Sequence, residues 1–322
     1  MVRTREEWFA CEQAKYTMAE PLISIEKIGD SAPISFTGTC DLPLKGIRIL
    51  DNTQIYAALI CARYASDAGA DVLHLLTPMR LNPNAMDSEC MPGKRSAWCD
   101  LTDPAMREQF FKLVKDADVF VNNTLNLYRK GITPQALAAA KPGIICVELN
   151  CYGFSGPWAG RGGFEQHGQC CTGFNVNEGS TDQPINPPTY LLNDMMGGLE
   201  AAIGMFECLS RRAREGGSYL VRVSLAQNCS AMQDFGLIPD SELEGLPKSL
   251  MTAPGLNARL RPEFELPLVT ATGPRGEIAV LPPQVEFSEF KLGPRFSGDP
   301  NGASKLDWSV FKQEIPEKQR KK

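Results

Sequence analysis

A chain of 322 residues with 43% hydrophobic and 22% charged content can bury a sizeable core, which predicts one large domain or a domain plus a smaller lobe. The formal net charge of −5 argues against nucleic acid as the main partner, because phosphate binding needs a concentrated basic face. No stretch approaches the roughly eighteen consecutive apolar residues of a membrane span, and the start, "MVRTREEWFACEQAKYTMAE", is charged where a signal peptide is apolar; both predict an intracellular protein with no membrane partner.

Residues 1–42 read as a lead-in helix and a linker, the latter carried by "GDSAPISFTGTCDLPL". The organised domain is expected over 43–236. It opens with an apolar run, "GIRILD" (46–51), a helix-like "IYAALICARYASDAGA" with a glycine stop, and a second apolar run, "DVLHLL" (71–76), together a βαβ unit. In "TDPAMREQFFKLVKDA", Thr102 or Asp103 can cap a helix whose first turn holds Pro104. A third strand follows at 118–122, then a helix opened by Thr133 and Pro134, then a fourth strand at 144–149. Strands alternating with helices at this spacing predict an α/β fold with a doubly wound parallel sheet covered on both faces.

The stretch "GPWAGRGGFEQHGQCCTGF" (156–174) concentrates glycines, a carboxylate, a histidine and two cysteines. The chain has eleven cysteines but no C-x-x-C, so Cys170 and Cys171 read as small core residues and not as metal ligands. His167 reads as a partly exposed helix histidine, and His74 as a structural residue of a buried strand. Glu165 follows Gly162 and Gly163 at a helix start, where the dipole favours a carboxylate and where glutamate also serves as an ordinary capping residue. A long helix is expected over about 191–215 and a strand at "SYLVRVSL". Residues 237–322 form a Pro/Gly-rich C-terminal region containing a β-hairpin at 268–281.

The first strand-to-helix turn, "LDNTQIYAAL", has no glycine, whereas a pyrophosphate site of the usual kind needs several there. This argues against a nicotinamide or flavin dinucleotide. A P-loop and a G-x-S-x-G elbow are also absent from the sequence.

The ordered blocks "PLKGIRILDNTQ", "ARYASDAGADVLHL", "GKRSAWCDLTDP", "DADVFVNN", "CYGFSGPWAGRGGFEQ" and "DMMGGLEAAIGMFECLSRRAREGGSYLVRVSL" resemble the class III CoA-transferase family, which includes formyl-CoA and carnitine CoA-transferases and α-methylacyl-CoA racemases. The likeness runs from 43 to about 230, and the start resembles the junction inside longer, two-part members, so that the chain is similar to their second half. The resemblance implies a Rossmann-like domain, coenzyme A and acyl-CoA as substrate with a carboxylic acid as second substrate, no metal, no nicotinamide, and a homodimer. It places Glu165 where the transferases carry the attacking aspartate, and Asp194 where the racemases carry one of two bases. It assigns CoA contacts to Gln54, Ile55, Tyr56 and Ala57 in the first turn, to Lys94 and Arg95 after the second strand, and to Asn123 after the third. Three functions follow as expectations: CoA transfer between carboxylic acids through Glu165; racemisation or epimerisation of an acyl-CoA by α-proton transfer, with Phe164 standing where a histidine base would be; or CoA or partner binding without catalysis.

Overall fold

The computed structural model describes residues 2–36, 41–77, 84–125, 127–187, 191–243, 268–283 and 285–312. The chain forms two compact units, neither of them one continuous stretch. The first comprises Met1–Leu22, Cys151–Asn193 and Ser224–Leu268, and the second Ile23–Asn150, Asp194–Val223 and Val269–Lys322.

The second unit holds a seven-stranded sheet. Its strands are β1 (Ser24–Gly29), β2 (Arg48–Asn52), β3 (Asp71–Leu76), β4 (Arg95–Trp98), β5 (Val119–Asn122), β6 (Ile145–Asn150) and β7 (Ser218–Ser224), in the order β1-β7-β6-β5-β2-β3-β4. The pairs β2/β3, β3/β4, β2/β5 and β5/β6 are parallel. From β4 to β7 this is the order of a doubly wound, Rossmann-like sheet, with the reversal between β2 and β5. The central strands are buried along nearly their whole length, which is why they read as continuous apolar runs.

The helix caps follow sequence rules. Asp103 caps Pro104–Val114 by accepting from Ala105 N at 2.7 Å and Met106 N at 3.3 Å, and Thr133 Oγ1 accepts from Ala136 N at 3.0 Å ahead of Pro134–Ala140. Pro104 and Pro134 fit the first turn because that position has no intrahelical N–H bond to lose. One core cluster joins Leu50, Leu73, Phe110, Phe120, Leu137 and Trp308. Trp308 also donates Nε1–H to Leu113 O at 3.1 Å.

The structure corrects three local expectations. Residues 24–29, expected inside the lead-in segment, form β1, an antiparallel edge strand on β7 with Ser24 opposite Arg222; its burial is too shallow for a clear period. Arg95, expected in a loop, begins β4, a four-residue strand specified by pairing with β3. Residues 296–311, expected in an irregular tail, are tied into the sheet unit through Asp299 and Trp308. The chain leaves and re-enters each of the two compact units, so each is assembled from three separate segments. The C-terminal hairpin forms as expected: β8 (Val269–Gly273) and β9 (Gly276–Val280) pair antiparallel, with Gly273 opposite Gly276 and Gly276 at φ 82°, a conformation glycine reaches without steric cost. The part of the C-terminal region at 244–267 lies outside the described residues.

Candidate active site

In an open α/β sheet, ligands bind outside the carboxyl ends of the strands where the strand order reverses. Here that place is formed by the turns after β2 and β5. Asn52 Nδ2 donates to Asn122 Oδ1 at 2.9 Å, Gln54 N donates to Asn123 Oδ1 at 3.0 Å, and Asn123 Nδ2 donates to Gln54 O at 2.6 Å. The next residue, Ile55, has φ 62° and is the one non-glycine with positive φ among the described residues. A β-branched side chain in that region carries strain of about 1–3 kcal/mol, persisting only where surroundings impose it. Helix Ala57–Asp67 follows. Gly198 of helix Leu192–Glu215 closes on this turn: a Cβ there would meet Ala57 O at 2.6 Å, so only glycine permits the approach.

Of the four residues expected in this turn, Gln54 and Ile55 are half-buried, while Tyr56 and Ala57 are buried. Burial and a hydrogen bond with Glu89 push the Tyr56 phenol far up, so Tyr56 contributes packing and backbone and not an ionisable side chain.

Lys94 departs from its expected role. It is fully buried, with Nζ 2.9 Å from Asp51 Oδ2 and 2.8 Å from Leu59 O. Thr53 Oγ1 donates to Asp51 Oδ1, and His74 Nδ1 lies 3.2 Å from Asp51 Oδ2. Burial raises the Asp51 carboxyl, but Lys94, His74 and Thr53 outweigh it and hold the group well below the ordinary carboxylate range. The Lys94 charge is therefore committed to an internal pair beneath the turn and is not presented to a phosphate. Arg95 is bound by Asp299, NH1 to Oδ1 at 3.0 Å, and its guanidinium carbon stands 4.7 Å from the Phe296 ring centre. The sequence joined these two residues as a cationic pair; the structure assigns each to a different carboxylate.

Glu165 belongs to the other unit. The loop before it is tightly packed, and a Cβ on Gly163 would meet Cys151 Sγ at 2.6 Å. Glu165 then opens helix Glu165–Thr172. It has no exposed surface, and its Oε1 accepts from Gln169 Nε2, from Asn193 Nδ2 at 2.8 Å and from Asn193 N at 3.2 Å. The carboxylate is thus oriented by two amide side chains and one backbone N–H. No motif in the sequence points to Asn193, which stands just before the block that opens at Asp194; its Oδ1 is buried with no hydrogen-bond partner among the described residues. The helix is capped by His167, whose Nδ1 accepts from Phe164 N at 3.0 Å, as suits an exposed helix histidine. Asp194 is the third residue of helix Leu192–Glu215, is 3% exposed, and lies in the sheet unit.

The cysteines of this unit are packing residues. Cys171 lies in an apolar cluster with Trp8, Ala14 and Ala226, and burial pushes its thiol up to about 12. Burial and then Glu165 raise the Cys229 thiol well above its usual range. Since only thiolates react readily, an alkylating reagent at pH 8 is expected to label half-buried Cys11 and Cys170 in the folded protein while Cys171 and Cys229 stay unlabelled until denaturant is added. Peptide mass mapping checks this, and rapid labelling of Cys229 without denaturant would contradict the packing.

The sheet order and its reversal between β2 and β5 define a doubly wound α/β protein. Residues 44–250 match the model of CoA-transferase family III, and the chain belongs to that family. It is 29% identical over 196 residues to an acetyl-coenzyme A transferase of Hypoxylon pulicicidum, covering 57% of this chain and 32% of that protein. It is 28% identical over 214 residues to the succinyl-CoA–L-malate CoA-transferase alpha subunit of Chloroflexus aurantiacus, covering 61% and 50%. The chain spans about a third to a half of the length of these curated relatives. In fold it is similar to a hypothetical protein of Mycobacterium tuberculosis (TM-score 0.56, 24% identity, 70% of this chain and 61% of that one) and to a CaiB/BaiF family protein of Brucella suis (TM-score 0.54, 22% identity, 76% and 67%). Among the described residues no helix is long and apolar enough to cross a membrane.

Proposed function

We propose that this protein transfers coenzyme A between carboxylic acids, with Glu165 as the nucleophile. The observation that carries the reading is the match of residues 44–250 to the family, supported by relatives named as CoA-transferases and by a carboxylate at the position the resemblance requires. In this scheme Glu165 attacks the thioester carbonyl of acyl-CoA, giving a mixed anhydride and CoA thiolate. The thiolate attacks the glutamyl carbonyl, releasing the first carboxylate and leaving a glutamyl-CoA thioester. The acceptor carboxylate displaces CoA thiolate from that thioester, and the thiolate then takes the acceptor's acyl group from the second anhydride, regenerating Glu165.

Gln169 and Asn193 serve this chemistry by fixing one carboxylate oxygen, since small misplacements of a reacting atom are costly. Glu165 has no exposed surface, so a thioester reaches it by displacing the surrounding side chains. The CoA moiety occupies the reversal of the sheet order, near Gln54–Ala57 and Asn123, and the working form is a homodimer; both statements rest on the family resemblance.

The test is incubation with a panel of acyl-CoAs and acceptor acids, read by mass spectrometry for exchanged products and for a protein-bound CoA thioester. Exchange together with a CoA adduct on Glu165 is the expected outcome. Exchange of an α-proton with deuterated solvent without any adduct would replace transfer by racemisation, and CoA binding with neither would leave a binding protein.

A further inference from the structure

The turn after β2 lacks the glycine that ordinarily makes a positive φ inexpensive, yet Ile55 stands at φ 62°. Both hydrogen-bonding ends of the Asn123 side chain are committed to the residue before it: Oδ1 accepts from Gln54 N at 3.0 Å and Nδ2 donates to Gln54 O at 2.6 Å. The Gln54 carbonyl belongs to the peptide plane that carries the Ile55 N–H, so holding Gln54 N and O together fixes ψ of Gln54 and with it the plane from which φ of Ile55 departs. One turn further back, Asn52 Nδ2 donates to Asn122 Oδ1 at 2.9 Å, and Thr124 N donates to the same oxygen at 3.0 Å. The two turns at the reversal of the sheet are therefore laced together by asparagines.

We infer that Asn123 is a positioning residue, which holds the Gln54–Ile55 turn in its strained conformation for CoA through two bonds to Gln54 and does not itself contact the ligand. This reassigns Asn123 from the ligand to the turn, and it rests on the reading of that turn as a CoA contact. The asparagine side chain does here what glycine does in dinucleotide sites: glycine makes the conformation accessible, whereas Asn123 imposes it. An imposed turn also loses less freedom on binding than a flexible one.

The experiment measures CoA affinity by calorimetry in the 322-residue chain and in Asn123→Ala, Ile55→Gly and the double variant, with thermal unfolding to confirm that each is folded. Asn123→Ala removes the clamp and Ile55→Gly frees the same turn, so each is expected to weaken CoA binding about tenfold. Because both act on one element, the double variant is expected to bind no more weakly than the weaker single. Multiplied losses, about a hundredfold in the double variant, would show a direct ligand contact by Asn123 and overturn the proposal. Where Asn123→Ala does not fold, Asn123→Asp replaces it, keeping the acceptor for Gln54 N but losing the donor to Gln54 O.

Hydrogen exchange separates this inference from the function it rests on. The Gln54 amide is expected to exchange about tenfold faster or more in Asn123→Ala, while Leu50 in β2 keeps its protection. If the wild-type protein binds no CoA, the functional reading fails, and Gln54 exchange then decides whether Asn123 holds the turn: unchanged exchange overturns the clamp.

Discussion

Lys94→Met is expected to destabilise the protein by about 3–5 kcal/mol, the cost of removing one partner from a buried ion pair. Lys94 Nζ is the charged partner of a fully buried Asp51 and also donates to Leu59 O in the first turn of helix Ala57–Asp67. Methionine fills a similar volume but leaves Asp51 facing an apolar chain, and the Leu59 carbonyl loses that donor. Urea unfolding at pH 7 measures the effect as a lower midpoint at unchanged slope. Because the Asp51 carboxyl is held below its unfolded value, the pair contributes its full stability above about pH 4, the range of a free aspartate, and loses it as pH falls further. In the variant, burial without Lys94 favours the protonated acid, so the gap to the wild type is expected to narrow below that pH. Combining Lys94→Met with Asp51→Leu removes both charges and is expected to recover much of the loss. An unchanged midpoint in Lys94→Met, with CoA affinity lost, would return Lys94 to the ligand.

Glu165→Gln is expected to abolish the trapped CoA adduct and to lower transfer by on the order of 10⁴-fold or more, as for loss of a covalent nucleophile. The amide keeps the size of the side chain, and its oxygen can still accept from Gln169 and Asn193, so folding and CoA binding are expected to persist. Glu165→Asp separates chemistry from placement. It restores the residue type of the resembled transferases but withdraws the carboxyl by one methylene from donors set for glutamate, Asn193 Nδ2 at 2.8 Å and Asn193 N at 3.2 Å. A displacement of about an ångström costs on the order of a hundredfold, so aspartate is expected to retain weak transfer and a detectable adduct. Hydroxylamine quenching of each variant mixed with acyl-CoA, followed by peptide mass spectrometry, reads both results. Undiminished transfer by Glu165→Gln would remove the glutamate from the chemistry.

The parallel sheet is legible in the residues alone, because β2, β3, β5 and β6 are buried on both faces and therefore appear as unbroken apolar runs. So are the helices opened by Asp103-Pro104 and Thr133-Pro134, whose caps are local chemistry, and the helix start at Glu165 after its glycines. Strands β1 and β4 were left to the tertiary structure, since one is a half-exposed edge and the other is four residues long, and each is specified by its neighbour in the sheet. The site divides in the same way. Residue type and chain position nominated Glu165 and the first turn, but partners distant in sequence decided what the side chains do. Lys94 is separated from Asp51 by 43 positions, Asn123 from Gln54 by 69 and Asn193 from Glu165 by 28. No local pattern records such pairings. A lysine that reads as a phosphate ligand becomes a buried counterion, and an asparagine that reads as a ligand contact is hydrogen-bonded to Gln54, because a hydrogen bond or ion pair forms with whatever the fold brings within about 3 Å.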